Sequence, residues 1–517
     1  MKQTNLTTKQ PNILFVISDQ HNAKVVGHQG HGQVKTPHMD AMAANGVRFD
    51  NAIVQNPICT PSRVSYLSGQ YCHNHGYYGL SGPNPKGLPS VLGHFRNAGY
   101  LTGAVGKIHC PEYWVEDDCD VFHETCGCSI DGRSKAYTQF LKDCGKNELE
   151  DHISLTEFGQ AGVQSMDSRP SDLTFEESQE GWIVSTINET IDRAIDADKP
   201  FILQASLPRP HQCTTPSEPF WSMYEGVDIE MPPNAAYDMS LKAPHARNTA
   251  DWQRQGNWAL FEPKTFEAAR ERKLRGYLGA VSQVDHALGL MLKYLEDRGI
   301  AENTIVVYTA DHGDYACEHG IMEKAPGICA DAITRVPMLW QWKGHFEAGH
   351  VVESIVESVD LVNTFCTLAG LEPMETSDGK SLDALLTGGT EPVKDLGVTE
   401  FAWSKSLRKG KYRYVYYPKE MFAEEHPDGF GELYDLEADP WEMHNLYFDP
   451  GHADVLADMK ASLMDWLVTS SRPTTVQPPA GRLVSGPQFR TRYHHSVNAD
   501  NKMHPDRIRK NKPTNYL

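Results

Sequence analysis

At 517 residues, with 40% hydrophobic and 22% charged residues, the chain is long enough for one large core plus a smaller appended unit. Its 48 Lys and Arg against 68 Asp and Glu leave a formal charge of −20, which argues against a general nucleic-acid binder, because phosphate neutralisation needs a basic face. No uninterrupted apolar run approaches the length of a membrane span, so no membrane partner is expected.

Residues Met1 to Gln10 are polar and lack an apolar h-region. The 11 cysteines are odd in number and scattered, and Cys126-x-Cys128, in the densest group with Cys119 and Cys144, has the wrong spacing for a Cys-x-x-Cys zinc or redox motif. Structural thiols in a reducing, cytoplasmic setting are the expectation. The near-continuous apolar run Asn12 to Asp19 reads as a strand buried on both faces, with Asp19 at its carboxyl end, where ligands gather in open α/β sheets. Thr36-Pro37 opens a helix that stops at Asn45-Gly46, and Val47 to Ile53 reads as a short strand.

That strand leads to Cys59-Thr60-Pro61-Ser62-Arg63, followed by an apolar-periodic segment through Leu67-Ser68-Gly69 that reads as the first turns of a helix. A potential nucleophile, a rigid turn and a guanidinium within five residues make an anion-binding arrangement, because N–H groups at a helix start and the Arg63 fork both suit a tetrahedral oxyanion. Taken alone, the stretch is equally a turn with a buried thiol. Val91 to Asn97 reads as a helix and Leu101 to Val105 as a strand, ending in Gly106-Lys107-Ile108-His109, where Lys107 and His109 alternate as on an extended segment. Residues 111 to 195 show no repeats and read as surface structure.

Pro200 to Ser206 is another buried strand, with His211 at its exit, and residues 212 to 263 read as loops over a site. A long amphipathic helix from Thr265 to Asp297 carries Tyr277, Val281, Val284, Leu288, Met291, Leu292 and Leu295 on one face. Thr304 to Asp311 repeats the logic of the first strand, an apolar run ending in an acid, with His312-Gly313-Asp314 directly after it. If the two strands are adjacent and parallel, Asp19-Gln20 and Asp311-His312 bring two carboxylates, a carboxamide and an imidazole together. Such carboxylates repel unless a cation lies between them; oxygen ligands favour Ca²⁺ or Mg²⁺, and the histidine admits Mn²⁺. Val336 to Trp340 reads as a strand and Ser358 to Thr364 as a helix start. From about residue 395, alternating runs such as Lys411 to Tyr417 and Glu432 to Leu436 read as a small antiparallel sheet, with a last helix over Val455 to Thr469. The expected fold class is therefore α/β, a large mixed, mostly parallel sheet flanked by helices with a smaller C-terminal antiparallel-sheet subdomain. The expected division is a catalytic domain over 11–394, an α+β subdomain over 395–471 and a basic tail over 472–517, the tail being a candidate arm for homo-oligomer formation on this acidic body.

The string Cys59-x-Pro61-Ser62-Arg63 through Leu67-Ser68-Gly69 resembles the signature of the type I sulfatases, and the likeness extends to Gly106-Lys107-x-His109, Pro210-His211 and Asp311-His312-Gly313, covering roughly Pro11 to Leu467. The resemblance implies an alkaline-phosphatase-like fold and oxidation of Cys59 to formylglycine by a maturing enzyme that reads Pro61 and Arg63. It also implies one divalent cation, usually calcium, held by Asp19, Gln20, Cys59, Asp311 and His312. Arg63, Lys107 and Lys324 would neutralise sulfate oxygens, His211, with Lys324, would protonate the leaving alcohol, and His109 would orient or deprotonate the geminal hydroxyl. The chain departs from many sulfatases in carrying Asp19-Gln20 for Asp-Asp and Asp311-His312 for Asp-Asn, variants found in choline-sulfatase-like and phosphonate monoester hydrolase-like branches, and the loss of one negative charge weakens the case for calcium. The expected reaction is hydrolysis of an alkyl or carbohydrate sulfate ester. The alternatives are a phosphonate monoester or phosphodiester at the same site, and a non-catalytic binding protein in which Cys59 stays a thiol.

Overall fold

The run Asn12–Asp19 forms β1, and all of it is buried, as a strand covered on both faces must be. The structure is a computed structural model that describes residues 10–472 apart from 81–86, 112–113, 126–134, 147–166, 213, 256–258, 260, 325–328 and 402. Cys126, Cys128 and the basic tail from residue 473 lie outside the described residues. The other strands of the main sheet are β2 (Val47–Ile53), β3 (Leu101–Gly106), β4 (Val121–Glu124), β5 (Phe201–Pro210), β6 (Thr304–Ala310), β7 (Arg335–Gln341) and β8 (His350–Glu357). They form an eight-stranded sheet in the order β4-β3-β5-β1-β6-β7-β2-β8. β7 alone runs antiparallel to its neighbours, β6 and β2.

Because side chains alternate along β1, Ile13, Phe15 and Ile17 face one helical layer while Leu14 and Val16 face the other. The first layer holds α2 (Cys59–Ser68), α3 (Val91–Asn97) and α7 (Asp360–Leu368); the second holds α1 (Pro37–Asn45), α4 (Gln179–Asp196) and the long α6 (Phe266–Asp297). α5 (Pro244–Gln255) packs through Ala246 and Ala250 in one cluster with Tyr315, Ile321 and Ile333, and its Trp252 packs against the cluster that holds Leu274 and Tyr277 of α6.

Two regions read as irregular contain core helices. α4 lies inside the stretch read as surface structure, yet Ile183, Ile187, Ile191 and Ala194 recur at helical spacing and pack under β3 and β5, and Ser178 caps the helix by accepting from the Gly181 N–H. α5 occupies part of the stretch read as loops, where Pro244 and the polar residues after it mask a short apolar face of Ala246 and Ala250. β8, an edge strand, pairs its apolar residues as Val351-Val352 and Ile355-Val356 instead of alternating them, so it lacks the period-2 pattern of a half-buried strand.

The smaller sheet is antiparallel, in the order β12-β11-β10-β9, from β9 (Leu396–Glu400), β10 (Lys405–Lys409), β11 (Tyr412–Tyr416) and β12 (Gly431–Asp435). α8 (Ala453–Ser470) covers it with Met459, Leu463 and Trp466. No helix among the described residues is long and apolar enough to cross a membrane.

Candidate active site

Four consecutive strands of the sheet, β3, β5, β1 and β6, deliver their carboxyl ends to one place. β1 and β6 pair in parallel with Ser18 opposite Ala310, so Asp19 and Asp311 leave the sheet side by side. On the other flank of β1, Asp19 pairs with Pro210, which brings His211 alongside. β3 reaches the same edge beyond β5: Gly106 pairs with Ser206, and the Lys107 N–H donates to the Ser206 carbonyl at 2.8 Å. Gly106 sits at φ 110°, and a Cβ there would lie 1.9 Å from the Ser206 carbonyl oxygen, so only glycine lets β3 approach this closely.

α2 begins at Cys59 itself, earlier than the sequence pattern suggests, with Pro61 in its first turn, where a missing N–H costs nothing. The first intrahelical bond runs from Ser62 N–H to the Ile58 carbonyl, and Gly69 ends the helix at φ 71°. Cys59 is thereby buried at the positive end of a ten-residue helix.

Asp19, Cys59, Asp311 and His312, all buried, each offer a ligand atom, and these atoms lie within 4.8 Å of one another. The His312 Nδ1 proton must go to the Gly313 carbonyl at 2.9 Å, which leaves the Nε2 lone pair facing inward, 3.3 Å from the Cys59 sulfur, 3.9 Å from Asp19 Oδ1 and 3.8 Å from Asp311 Oδ1. Asp19 Oδ1 is buried and accepts no hydrogen bond from any described residue. An orphaned carboxylate oxygen aimed at an imidazole lone pair and a second carboxylate is what a divalent cation satisfies, so these residues fit a metal. Burial opposes charge on His312, but Asp311 raises it above the ordinary imidazole value; a site that attracts a proton in this way also attracts a cation.

Gln20, expected as a further ligand, is placed differently. Its carboxamide oxygen accepts from Lys324 Nζ at 2.7 Å, and its amide group donates to Gln212 Oε1 at 2.9 Å and to Asp314. With an ammonium on one lone pair of its oxygen it acts as the strut that aims Lys324.

The cations stand around this cluster. Lys107 Nζ lies 2.8 Å from Asp19 Oδ2, and Lys324 Nζ lies 3.5 Å from the Cys59 sulfur. Burial would raise the Cys59 thiol, but Lys324, Lys107 and His312 outweigh it and bring the thiol well below its ordinary value. His109 hydrogen-bonds the same sulfur. It arrives there through a left-handed turn at φ 47° rather than along the extended segment expected, and the backbone N–H groups of Ile108 and His109 are held by the Glu124 carboxylate at 3.1 and 2.8 Å.

His211 donates from Nδ1 to the Gln212 carbonyl at 2.6 Å, leaving Nε2 toward Cys59 and 4.0 Å from Asp19 Oδ1. Burial, Lys107 and Lys324 push it down to about 4, so in the free site it is neutral.

Arg63 requires a correction. It is fully buried beneath Asp19 and Asp311, and all five of its N–H groups have partners: Nε to Asp311 at 2.9 Å, Nη1 to the Lys107 carbonyl and to Ser206 Oγ at 2.8 Å, Nη2 to Asp19 at 2.8 Å and to Asp311 at 2.9 Å. None is left for a substrate oxygen, so Arg63 positions the two carboxylates. Reading the motif as a linear anion cradle missed this, because nothing in the sequence says that the guanidinium points under the sheet end. Glu124, Ser206 and Gln212 were missed for the same reason: each acts through a partner distant in the sequence and leaves no local signal. Asp314 had one, its place in Asp311-His312-Gly313-Asp314.

Carboxylates and an imidazole at the carboxyl ends of a mostly parallel sheet, ringed by lysines around a cysteine on a helix start, mark an α/β enzyme whose site suits an anionic ester. The family model described as Sulfatase matches residues 11–371, and that described as N-sulphoglucosamine sulphohydrolase, C-terminal, matches residues 317–468. The chain belongs to the sulfatase family, and its reaction is hydrolysis of a sulfate ester. It is 26% identical over 479 residues to a choline-sulfatase of Rhizobium meliloti, covering 89% of this chain and 88% of that protein. It is 24% identical over 511 residues to an N-acetylglucosamine-6-O-sulfatase of Bacteroides thetaiotaomicron, covering 85% and 83%. Among solved structures, a phosphonate monoester hydrolase of Silicibacter pomeroyi superposes with a TM-score of 0.74 at 22% identity, covering 90% of this chain and 96% of that one.

Proposed function

We propose that the protein hydrolyses the sulfate ester of a saccharide, using residue 59 as a formylglycine nucleophile and one divalent cation. The observation that carries this is the placement of Cys59 at the centre of the cluster, in contact with His312 and Lys324 and at the start of α2. The saccharide is favoured by the N-acetylglucosamine-6-O-sulfatase relative and by the C-terminal family match; choline sulfate is the alkyl alternative.

A bound cation, held by Asp19, Asp311, His312 and residue 59, would polarise a sulfate oxygen and favour the deprotonated nucleophile. Lys107 and Lys324 present ammonium groups on either side of residue 59 and neutralise the sulfate oxygens as charge builds on them. Lys324, steered by Gln20, is the proton donor for the departing alcohol, and His211, whose Nε2 faces the same centre, can relay that proton. His109, fixed by Glu124, takes a proton from the second hydroxyl of the hydrated aldehyde, so that sulfate leaves and the aldehyde re-forms. A plain cysteinyl sulfate has no such exit. The three cations Arg63, Lys107 and Lys324 face two carboxylates, a balance that draws in an anionic ester despite the acidic body.

The test is the mass of the peptide containing residue 59 from protein made with a maturing enzyme, followed by hydrolysis of sulfated glucosamines, choline sulfate and a phosphonate monoester. A mass loss matching thiol-to-aldehyde conversion with sulfate release supports the reading. A thiol at residue 59 in protein that still hydrolyses sulfate esters would overturn the nucleophile. Preferred hydrolysis of the phosphonate ester would overturn the ester assignment, and Gln20 and His312 are the residues that keep that second reading open.

A further inference from the structure

Residue 59 has two chemical lives in the proposed function, a thiol before conversion and a hydrated aldehyde after it, and both point into the same buried cluster. We propose that the thiol form is a binding site for a thiophilic divalent cation of the zinc type, and that conversion of Cys59 switches the site from a zinc-type to a hard-cation preference. The proposal rests on the reading of residue 59 given above.

The donor set of the unconverted chain is one thiolate, one imidazole and two carboxylates, four groups within 4.8 Å of one another. Zn–S and Zn–N bonds of about 2.3 and 2.0 Å put a tetrahedral S···N edge at roughly 3.5 Å, and the Cys59 Sγ to His312 Nε2 separation is 3.3 Å. The two His312-to-carboxylate edges, 3.9 and 3.8 Å, need to contract by only a few tenths of an ångström. The histidine is preset as a ligand, since its Nδ1 proton is fixed on the Gly313 carbonyl, and Asp19 Oδ1 has no competing donor among the described residues. Binding forms a metal–sulfur bond to the thiolate, any proton still on the sulfur passing to solvent, with no change in oxidation state. Replacing sulfur by the oxygens of a hydrated aldehyde leaves one nitrogen among oxygen donors, the set that suits calcium, magnesium or manganese.

Full-length protein made without a maturing enzyme, its thiol verified by peptide mass and its metals stripped, is titrated with Co²⁺. An intense sulfur-to-cobalt charge-transfer band is expected, lost on addition of Zn²⁺, kept in excess Ca²⁺, and absent from Cys59→Ser. Competition should give a Zn²⁺-over-Ca²⁺ preference of roughly a thousandfold in the thiol form, falling by at least about tenfold after conversion. His312→Ala should weaken cobalt binding while the fold, followed by circular dichroism, persists. No charge-transfer band, or an equal band in Cys59→Ser arising from other cysteines, overturns the proposal. An unchanged metal preference on conversion overturns the switch. These failures differ from failure of the proposed function: conversion and sulfate release without a thiolate band sink the metal proposal alone, whereas a thiolate band in a chain that is never converted sinks the catalytic reading.

Discussion

At the scale of single residues the site divides into groups that face the reacting centre and groups that hold them. Arg63 belongs to the second kind, and its place in the motif follows from geometry: only a planar fork reaches Asp19, Asp311, Ser206 and the Lys107 carbonyl at once. Arg63→Ala leaves two buried carboxylates uncompensated and should cost about 3–5 kcal/mol of stability; Arg63→Lys recovers part of this, and urea denaturation checks both. Lys324→Ala should lower kcat/KM by about 10²–10⁴ for an alkyl or sugar sulfate. The loss should shrink for a nitrophenyl sulfate, whose leaving group needs no proton; an equal loss with both esters would place Lys324 on the sulfate oxygens alone. The residues at the centre were legible because Cys59, Asp19, Asp311 and His312 end or begin elements with strong patterns. Their supports were not, since a hydrogen bond from a backbone N–H to Glu124 leaves no trace in residue order.

At the scale of elements, the fully buried strands declared themselves, and the acids at their ends followed. α4 did not, because its helical period was passed over in a stretch lacking repeats, and α2 was placed late because a proline in its first turn looks like a boundary. Where elements meet, two close approaches carry weight. The contact of β3 with β5 depends on Gly106, so Gly106→Ala should cost about 3 kcal/mol or more and lower activity through Lys107, readable as a reduced melting temperature with impaired turnover.

The second approach joins α1 to α6. Thr36 gives α1 no side-chain cap, and the Asp285 carboxylate instead accepts the N–H groups of His38 and Met39 at 3.1 and 2.7 Å. Burial outweighs these donors, Asp40 adds repulsion, and the carboxyl is pushed up to about 7. A raised carboxyl holds its proton more tightly in the native state than in the unfolded chain, so its stabilising contribution is full below about pH 4 and is lost as pH rises to about 7, by up to about 4 kcal/mol. The urea midpoint of the wild type should therefore fall more between pH 5 and pH 7.5 than that of Asp285→Asn, whose cap does not titrate. Parallel curves would show that Asp285 is already ionised at the lower pH.

At the scale of the molecule, the two sheets are joined by a buried seam that also braces the nucleophile. β9 donates Glu400 N–H to the Gln55 carbonyl at 2.7 Å and Thr399 Oγ1 to the Val54 carbonyl at 2.6 Å, and its Glu400 carbonyl accepts from Asn56 Nδ2 at 2.7 Å. Residues 54–56 are thus clamped by the smaller sheet just ahead of Cys59. The seam is closed by Lys394 Nζ, 2.6 Å from Glu357 and 2.7 Å from Asp360, two carboxylates with no solvent exposure, while Val398 N–H binds the other Glu357 oxygen at 2.8 Å. Burial opposes the charge on Lys394, yet Asp360 and Glu357 raise it well above its ordinary value, so the ammonium is structural. Lys394→Met removes one cation and strands two anions, at an expected cost of about 3–5 kcal/mol. Glu357→Gln on the Lys394→Met background should recover part of that loss, because the neutral amide no longer needs the ammonium. If the double variant instead loses the sum of the two single losses, the seam is held by packing and not by charge. In Lys394→Met the release of residues 54–56 should also slow sulfate ester hydrolysis before global unfolding, since the segment that aims Cys59 loses its brace while the main sheet remains intact.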